Sequence, residues 1–242
     1  MPMRRADVVQ WGADRLRVAA WRGDASVAVV TPVPGHPPTP AGVAHTAEVL
    51  AARGVDRMLT SAIPPDEQAP FLAHGFAVRE RLHLLSRALD VVPPPTLVTA
   101  RLRRGWRRDY PEVLTVDELA FSSFWRFDRH ALLDARGATP SNQFRVAERD
   151  DVVGYAITGR AGTTCYLQRL AVHPDAQGHG IGSALVLDAL HWARARRATV
   201  ALVNTQVGND PALALYERLG FRRQAGGLAV LERSLRPARA TA

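Results

Sequence analysis

The sequence predicts a mixed α/β fold, and two observations carry that prediction. Segments with the two-residue period of strands alternate with segments that have the 3.6-residue period of helices along most of the chain. A polar loop with the alternating glycines Gly178, Gly180 and Gly182 joins an apolar strand candidate to an amphipathic helix candidate. Alternation of this kind places helices on the faces of a sheet. We therefore expect a sheet flanked by helices, with a ligand loop at the end of one strand.

The first part of the chain has its own set of elements. The predicted strands are 16–21, 25–31, 55–61 and 78–89, and the predicted helices are 43–53 and 65–74. Prolines between the second strand and the first helix block both helical and ladder hydrogen bonds. The stretch Asp90–Pro95 reads DVVPPP, which is a stiff, extended connector. We therefore expect two domains, 1–92 and 93–242.

In the second part the pattern restarts. The predicted strands are 97–102, 144–149, 152–158, 166–172, 199–205 and 228–235, and the predicted helices are 110–133, 180–196 and 211–218. Asp210 is the expected N-cap of the last helix, with Pro211 in its first turn. The strands and helices of this part surround the glycine loop.

The two parts also echo each other. Residues 52–76 parallel residues 196–221, and LLSRAL at 84–89 parallels VLERSL at 230–235. The glycine loop is missing from the first copy, where prolines stand in its place. This pattern indicates an internal duplication whose first copy lost its ligand loop.

Composition narrows the function classes. The net charge is +8 and all 31 basic residues are arginines, which is typical of codon bias in a GC-rich genome. The arginines are scattered along the chain, and the densest cluster, residues 101–108, is expected to be a strand end plus a solvated loop, so nucleic-acid binding stays the weaker alternative and no such partner is expected. The sequence has neither an apolar run of ~18 residues nor a secretory signal, which predicts a cytoplasmic protein without a membrane partner. Cys165 is the single cysteine, so we expect no disulfide and no metal.

The glycine loop predicts an anion site. Glycines before a helix allow tight turns and expose backbone N–H groups where the helix dipole also favours phosphate. A Walker loop is excluded because the chain has no lysine. A Rossmann loop fits poorly, because here the glycines read G-x-G-x-G and His173–Gln177 separates them from the strand.

A third interpretation fits the loop. Gln177-Gly178-His179-Gly180-Ile181-Gly182 resembles the Q/R-x-x-G-x-G/A signature of the GCN5-related N-acetyltransferases, the GNAT family. The preceding Leu170-Ala171-Val172-His173-Pro174 and the later block Asn209–Phe221, which reads NDPALALYERLGF, are also similar to that family, in the same order. The resemblance covers roughly residues 97–235 and implies a mixed, mostly antiparallel sheet flanked by helices. Residues 1–92 resemble a degenerate partial copy.

The resemblance also implies site residues and a cosubstrate, acetyl-CoA. The implied cofactor-binding residues are Leu170, Ala171, Val172, Gln177, Gly178, His179, Gly180, Ile181, Gly182, Ser183, Asn204, Asn209 and Tyr216. The backbone of Leu170 and Val172 would bind the pantetheine arm. Tyr216 is placed like the family's general acid, which protonates the departing thiolate, and a phenol suits that role because it is neutral at pH 7.

Other site residues stay open. Glu118, Asp128, Glu148 and His173 are candidates for the general base, and none of them lies in a diagnostic pattern. Cys165 is expected to be an inert buried residue. The aromatic set Phe121, Phe124, Trp125 and Phe127 has helical spacing, which indicates a core face or, alternatively, a wall of the acceptor pocket.

The expected function is direct transfer of an acetyl group from acetyl-CoA to a primary amine of a small molecule or a peptide. The alternative is a non-catalytic CoA-binding or sensing module. The expected oligomeric state is a monomer or a homodimer.

Overall fold

The computed structural model describes residues 7–33 and 35–236. In chain order the strands are β1 Asp7–Trp11, β2 Asp14–Trp21, β3 Asp24–Pro32, β4 Arg57–Thr60, β5 Ala77–Ala88, β6 Arg101–Arg104, β7 Ser141–Glu148, β8 Val152–Ala161, β9 Thr164–Val172, β10 Val200–Gln206, β11 Arg222–Arg223 and β12 Leu228–Ser234. The helices are α1 Pro40–Ala52, α2 Pro65–Leu72, α3 Tyr110–Ala120, α4 Arg129–Gly137, α5 Ile181–Ala195 and α6 Asp210–Arg218, and two short 3-10 helices cover Arg107–Asp109 and Pro174–Ala176.

The chain forms two compact units. The first unit takes the described residues up to His83, residues 206–208 and the described residues from Ala225 onward, and the second unit takes residues 84–205 and 209–224. The boundary expected at residue 92 therefore does not coincide with the division between the units. Strand β12 belongs to the first unit although it follows the glycine loop by more than forty positions in the chain.

The proline-rich stretch Asp90–Pro95 lies within the second unit. Val92 is buried in its core, and the imidazole of His191 on α5 lies 2.7 Å, by Nε2, from the carbonyl oxygen of Pro93. These contacts hold the stretch against α5, which explains why the division between the units falls earlier in the chain.

The first unit is a sheet covered by α1 and α2. Its strands run in the order β1-β2-β3-β4-β12-β5, where the first half of β5 takes part, and β3–β4 is a parallel pair while the other pairs are antiparallel. Helix α1 buries Val43, Ala47 and Leu50 in a core that also contains Met58 and Phe71.

The second unit contains the strands β10-β9-β8-β7-β6 in this order, with the second half of β5 beside β10. Strands β9 and β10 are parallel, and β9, β8, β7 and β6 pair antiparallel. Helix α5 is apolar almost all round, as buried helices are, and places Leu185, Val186 and Leu190 in the core. The mixed, mostly antiparallel sheet flanked by helices that the sequence predicts is confirmed.

Two predicted elements differ from the structure, and one strand of the structure was not predicted. The predicted helix 110–133 is two helices, because residues 121–128 leave helical geometry between α3 and α4. The strand predicted at 97–102 begins only at Arg101, and Leu97 is 98% exposed. Strand β1 was not predicted, because its Asp7–Trp11 segment, DVVQW, is too short and too polar to give an alternating pattern. Within the described residues, no helix is long and apolar enough to cross a membrane.

Candidate active site

The glycine loop forms an uncapped helix start. Gly178 and Gly180 have φ angles of +77° and +78°, in the left-handed region that favours glycine. Gly180 is the N-cap residue of α5, so no side chain caps the helix, and the first turn has no acidic residue. The N–H groups of Ile181, Gly182 and Ser183 therefore have no acceptor within the helix. With the helix dipole, these donors make a site for an anion.

Close contacts connect this loop to the second sequence block. A Cβ on Gly182 would lie 3.3 Å from Cδ2 of Leu215 on α6 and 3.9 Å from Cγ2 of Val172 at the end of β9. A Cβ on Gly180 would lie 3.3 Å from Cγ1 of Val98. The two blocks that carry the family resemblance therefore meet in space, with Leu215 next to Tyr216.

Strands β9 and β10 separate beside the loop. Their parallel pairing ends at Leu167 and Val203, although both strands continue. At the same level β9 has a bulge against β8, because Ile157 pairs with Arg169 and Thr158 with Leu167, which leaves Gln168 as the extra residue. A bulge bends and twists its strand. It thus leaves the β10-facing edge of Gln168–Val172 without a strand partner, next to the helix start.

Tyr216 is fixed by the way α6 ends. The N–H of Phe221 donates to the carbonyl of Tyr216 at 3.0 Å, and the N–H of Gly220 donates to the carbonyl of Glu217 at 2.9 Å, which together form a Schellman motif. Gly220 has the left-handed φ of +82° that this motif requires. The Tyr216 and Phe221 rings pack edge to face with centroids 5.7 Å apart. The LYERLGF block is therefore first a helix-ending motif.

The Tyr216 side chain is 5% exposed and belongs to the buried cluster that contains Leu167 and Val203, the last paired residues of β9 and β10. Burial raises the pKa of its phenol above the ordinary value. The group is therefore neutral throughout the physiological pH range, and it can donate a proton but not accept one.

Asn209, not Asp210, is the N-cap of α6. Its side chain accepts a hydrogen bond from the N–H of Ala212 at 3.3 Å. The sequence prediction of Asp210 was wrong by one position because both residue types cap helices well. Asn204 lies within β10 beyond the last pair with β9, and its side chain is exposed.

The remaining predicted cofactor residues surround the loop in different ways. Gln177 donates from Nε2 to the carbonyl of Val172 at 3.1 Å, which ties the loop to the end of β9. The exposed His179 places Nδ1 2.8 Å from the carbonyl of Gln177. Leu170 and Val172 pack against the α5 side, whereas the Ala171 side chain lies in the cluster beneath α3.

Each candidate for the general base is already engaged. Glu118 pairs with Arg126, and Asp128 caps α4 by accepting from the N–H of Ala131 at 2.7 Å. The Glu148 carboxylate accepts a hydrogen bond from Arg103 at 2.6 Å, which lowers its pKa. His173 accepts at Nδ1 from the N–H of Asp175 at 3.3 Å. These partners give each residue a structural role, and none of them is assigned as the base.

Cys165 is fully buried, and burial raises the pKa of its thiol to about 12. A thiol with this pKa is protonated at neutral pH and is a poor nucleophile. The expectation of an inert side chain agrees with its place in the core.

A buried ion pair beneath α3 was missed by sequence reasoning. Asp117 is fully buried and accepts from Arg169 at 2.7 and 2.8 Å, from the Tyr155 hydroxyl at 2.5 Å and from the N–H of Phe127 at 2.6 Å. Arg169 also donates to the carbonyl of Trp125 at 2.6 Å. These bonds hold the segment 121–128 on β9. The sequence signal for this ion pair was Arg169, a charged residue in the mostly apolar strand segment LQRLAV.

The aromatic set does not form a helical face, because it lies in the connection between α3 and α4. The Arg169 guanidinium is sandwiched between the rings of Phe121, at 3.4 Å, and Phe127, at 3.9 Å. Phe124 and Trp125 contact each other edge to face at 5.0 Å. Two members of the set therefore enclose a buried cation.

Solved structures of acetyltransferases share this fold. A GCN5-related N-acetyltransferase from Sphaerobacter thermophilus aligns with 93% of this chain and 78% of its own, with a TM-score of 0.66 and 17% identity. A tandem GNAT protein from the clavulanic acid biosynthesis pathway aligns with 96% of this chain and 82% of its own, with a TM-score of 0.68 and 17% identity. At these identities the likeness shows the fold.

The chain belongs to the GNAT family of acetyltransferases, because the profile described as Acetyltransferase (GNAT) family matches residues 101–221. A mycothiol acetyltransferase of Rhodococcus jostii is 32% identical over 200 residues, which are 73% of this chain and 65% of that protein. The chain thus spans less than two thirds of that relative's length. The GNAT family that the sequence predicts is confirmed.

Proposed function

We propose that this protein transfers the acetyl group of acetyl-CoA to a primary amine by direct attack in a ternary complex. The observation that carries the proposal is the uncapped start of α5 beside the unpaired edge of β9, with Tyr216 in the cluster where β9 and β10 separate. The family supports acetyl-CoA as the cosubstrate.

The cosubstrate would be held mainly by backbone groups. The pyrophosphate would accept hydrogen bonds from N–H groups between Gly178 and Ser183, and the pantetheine amides would pair with the free edge of β9 at Leu170 and Val172, as an added strand does. Asn204 and Asn209 lie beyond the last β9–β10 pair, where they would face the acetyl-bearing end of the arm.

The chemical step needs a proton donor. The amine nitrogen attacks the thioester carbon, the carbon–sulfur bond breaks, and one amine proton passes to water. The Tyr216 hydroxyl would give its proton to the sulfur, and the phenolate would recover a proton from solvent. Burial keeps this phenol protonated at neutral pH, so its proton is in place when the thiolate forms.

The first acceptor to test follows from the relatives. The matched proteins named mycothiol acetyltransferase suggest the unacetylated form of mycothiol, which the amine class would include. We also propose that residues 1–92 are a degenerate copy of the GNAT repeat that binds no acetyl-CoA and that residues 93–242 are the catalytic copy. The tandem architecture of one structural neighbour agrees with this.

A Tyr216→Phe variant tests the role of the phenol. We expect kcat to fall about a hundredfold, which is the usual contribution of a general acid, while the Kd for acetyl-CoA stays unchanged. Thiol release from acetyl-CoA with a panel of amines and unacetylated mycothiol measures kcat, and calorimetry measures the Kd. An unchanged kcat would remove Tyr216 from the mechanism.

Thermal unfolding of the full chain with acetyl-CoA tests the proposal as a whole. Bound cosubstrate should raise the Tm by an amount that grows with the logarithm of its concentration above the Kd. The absence of a shift at millimolar acetyl-CoA contradicts the proposal. A shift without thiol release across the whole panel supports the non-catalytic CoA-binding module instead.

A further inference from the structure

The second unit contains a cavity that has no role in the proposed acetyl transfer. Its volume is about 450 Å³, and it lies between the end of β6, the start of α3 and the end of α4. Its lining includes Arg104, Trp106, Arg107, Tyr110 and Arg136. A volume of this size is in the range of pockets for small organic ligands.

The charge of the lining is unbalanced. Arg104, Arg107 and Arg136 line the cavity, no carboxylate does, and none of the three forms an ion pair with any residue that the structure describes. The nearby Asp109 carboxylate is taken by Arg103, whose Nη1 and Nη2 lie 2.8 and 3.0 Å from it. Three guanidinium groups around one cavity repel one another, and a bound anion would relieve that repulsion.

Arg136 is the most constrained of the three. Its Nη1 donates to the Tyr110 hydroxyl, and its guanidinium lies 5.0 Å from the centroid of the Phe144 ring. Its Nε is buried and has no hydrogen-bond partner among the described residues.

The cavity wall also offers an aromatic surface and is held in place. Trp106 is 50% exposed, and the Arg104 guanidinium lies 4.7 Å from its ring centroid. The N–H of Trp106 donates to Asp109 at 2.7 Å, and a Cβ on Gly105 would lie 2.4 Å from Cδ1 of Phe144. The loop therefore sits directly on the core, and the indole is positioned before any ligand arrives.

The cavity is separate from the acetyl-CoA site. Strand β6 is three strands away from β9 in the order β9-β8-β7-β6, which corresponds to about 14 Å at the usual strand spacing. None of the predicted cofactor-binding residues lines it.

We propose that this cavity is a second ligand site and that it binds a nucleoside phosphate. The three arginines match a ligand with more than one negative charge, and guanidinium groups bind phosphate oxygens in pairs. The half-exposed indole of Trp106 provides a face on which a base can stack. This inference goes beyond acetyl transfer, because it requires neither Tyr216 nor the α5 start.

Calorimetry on the chain of 242 residues tests the site, with ADP as the probe. We expect ADP to bind and Arg136→Met to weaken it tenfold or more, because a charge-assisted pair is lost. Trp106→Ala should also weaken ADP, and pyrophosphate should bind less tightly than ADP. Arg108→Met is the matched control, since Arg108 lies on the same segment, is 78% exposed and does not line the cavity.

Several outcomes overturn the proposal. If Arg136→Met leaves the affinity for ADP unchanged, ADP occupies another site, and equal losses of affinity in the Arg136→Met and Arg108→Met variants show only attraction to net charge. Pyrophosphate that binds as tightly as ADP contradicts the stacked base. Melting curves of each variant verify that it is folded, so a loss of binding is a loss at the site.

Discussion

The helix that carries Tyr216 in the second unit has a counterpart in the first, and both end in the same way. In the first unit the N–H of Phe76 donates to the carbonyl of Phe71 at 3.2 Å, and Gly75 has a φ of +76°. The Phe71 and Phe76 rings pack edge to face with centroids 5.3 Å apart. Phe71 thus occupies the position that Tyr216 has in α6. The two helices therefore end alike, with a phenylalanine in α2 where α6 has the phenol.

The two long helices differ at their starts. Helix α5 begins at Gly180 with no side-chain cap, whereas α1 is capped by Thr39, whose hydroxyl accepts from the N–H of Gly42 at 3.2 Å. The Asp14 carboxylate also accepts from Thr39, at 2.8 Å from its N–H and 2.5 Å from its hydroxyl. A Cβ on Gly42 would lie only 1.9 Å from Oδ2 of Asp14. The protein's own carboxylate therefore occupies this helix start.

The starts of α1 and α5 show that a helix after a strand of a parallel pair can be either closed or open to an external anion. Both units place a helix after one strand of a parallel pair, β3–β4 or β9–β10. In the first unit the negative charge is internal, and in the second the donors are left for a ligand. The following variants test this comparison.

The largest expected effect is a loss of stability on removing the charge of Asp117, which differs from the buried carboxylate of Asp14 in its partners. Asp117 faces a buried guanidinium, whereas Asp14 faces an N–H and a hydroxyl, which are neutral. Asp117→Asn leaves the charge of Arg169 buried without a counter-charge, so we expect a loss of about 3–5 kcal/mol in the free energy of unfolding of the second unit. Urea unfolding, with hydrogen exchange to assign the change to a unit, measures it.

A second variant separates charge from shape. Adding Arg169→Met to Asp117→Asn removes the remaining charge, and we expect most of the lost stability to return. If the double variant is less stable than Asp117→Asn alone, the cost comes from the stacking of Arg169 on Phe121 and Phe127 and not from the unpaired charge.

The variant with the next largest expected effect gives α5 an internal carboxylate at its start, as Asp14 does for α1. Ser183→Asp places a carboxylate in the first turn of α5, where it can take the donors that the pyrophosphate would use. We expect the affinity for acetyl-CoA to fall tenfold or more through repulsion of like charges. The helix itself should keep or gain up to about 1 kcal/mol, because an anion stabilises this end.

Ser183→Asn is the control for that change, since it has nearly the same shape and no charge. Calorimetry on both variants should show near-normal binding for the asparagine and weak binding for the aspartate. Equal losses would mean that side-chain size, and not an internal anion, closes the site.

Sequence reasoning found the elements of the second unit that depend on local patterns. The glycine spacing predicted the turn before α5, and the LYERLGF block predicted where α6 ends, because left-handed glycines and a Schellman contact are encoded within a few residues. The sequence also predicts that residues 52–76 duplicate residues 196–221; the helices of Phe71 and Tyr216 end alike, and the duplication itself stays a prediction.

Contacts between distant segments could not be predicted in this way. The Asp117–Arg169 pair joins residues 52 positions apart, and the carboxylate of Asp14 meets Thr39 across 25 positions. No periodic pattern records such pairs, and sequence propensity treated residues 121–128 as helix because their aromatic spacing is helical. The position of β12 in the first unit is likewise a property of pairing with β4 and not of its own composition.

The variant with the smallest expected effect removes the charge of Asp14 at the start of α1. In Asp14→Asn the amide oxygen can still accept both hydrogen bonds from Thr39, which both go to Oδ2, but the acceptor is neutral and the bonds are weaker, and no unpaired charge is left. We expect the first unit to lose about 1–2 kcal/mol of unfolding free energy, less than Asp117→Asn removes from the second unit, with an unchanged Kd for acetyl-CoA. Urea unfolding and calorimetry on the same preparation measure both quantities. A weaker affinity for acetyl-CoA in this variant would show that the first unit takes part in binding the cosubstrate, which contradicts a single site at α5.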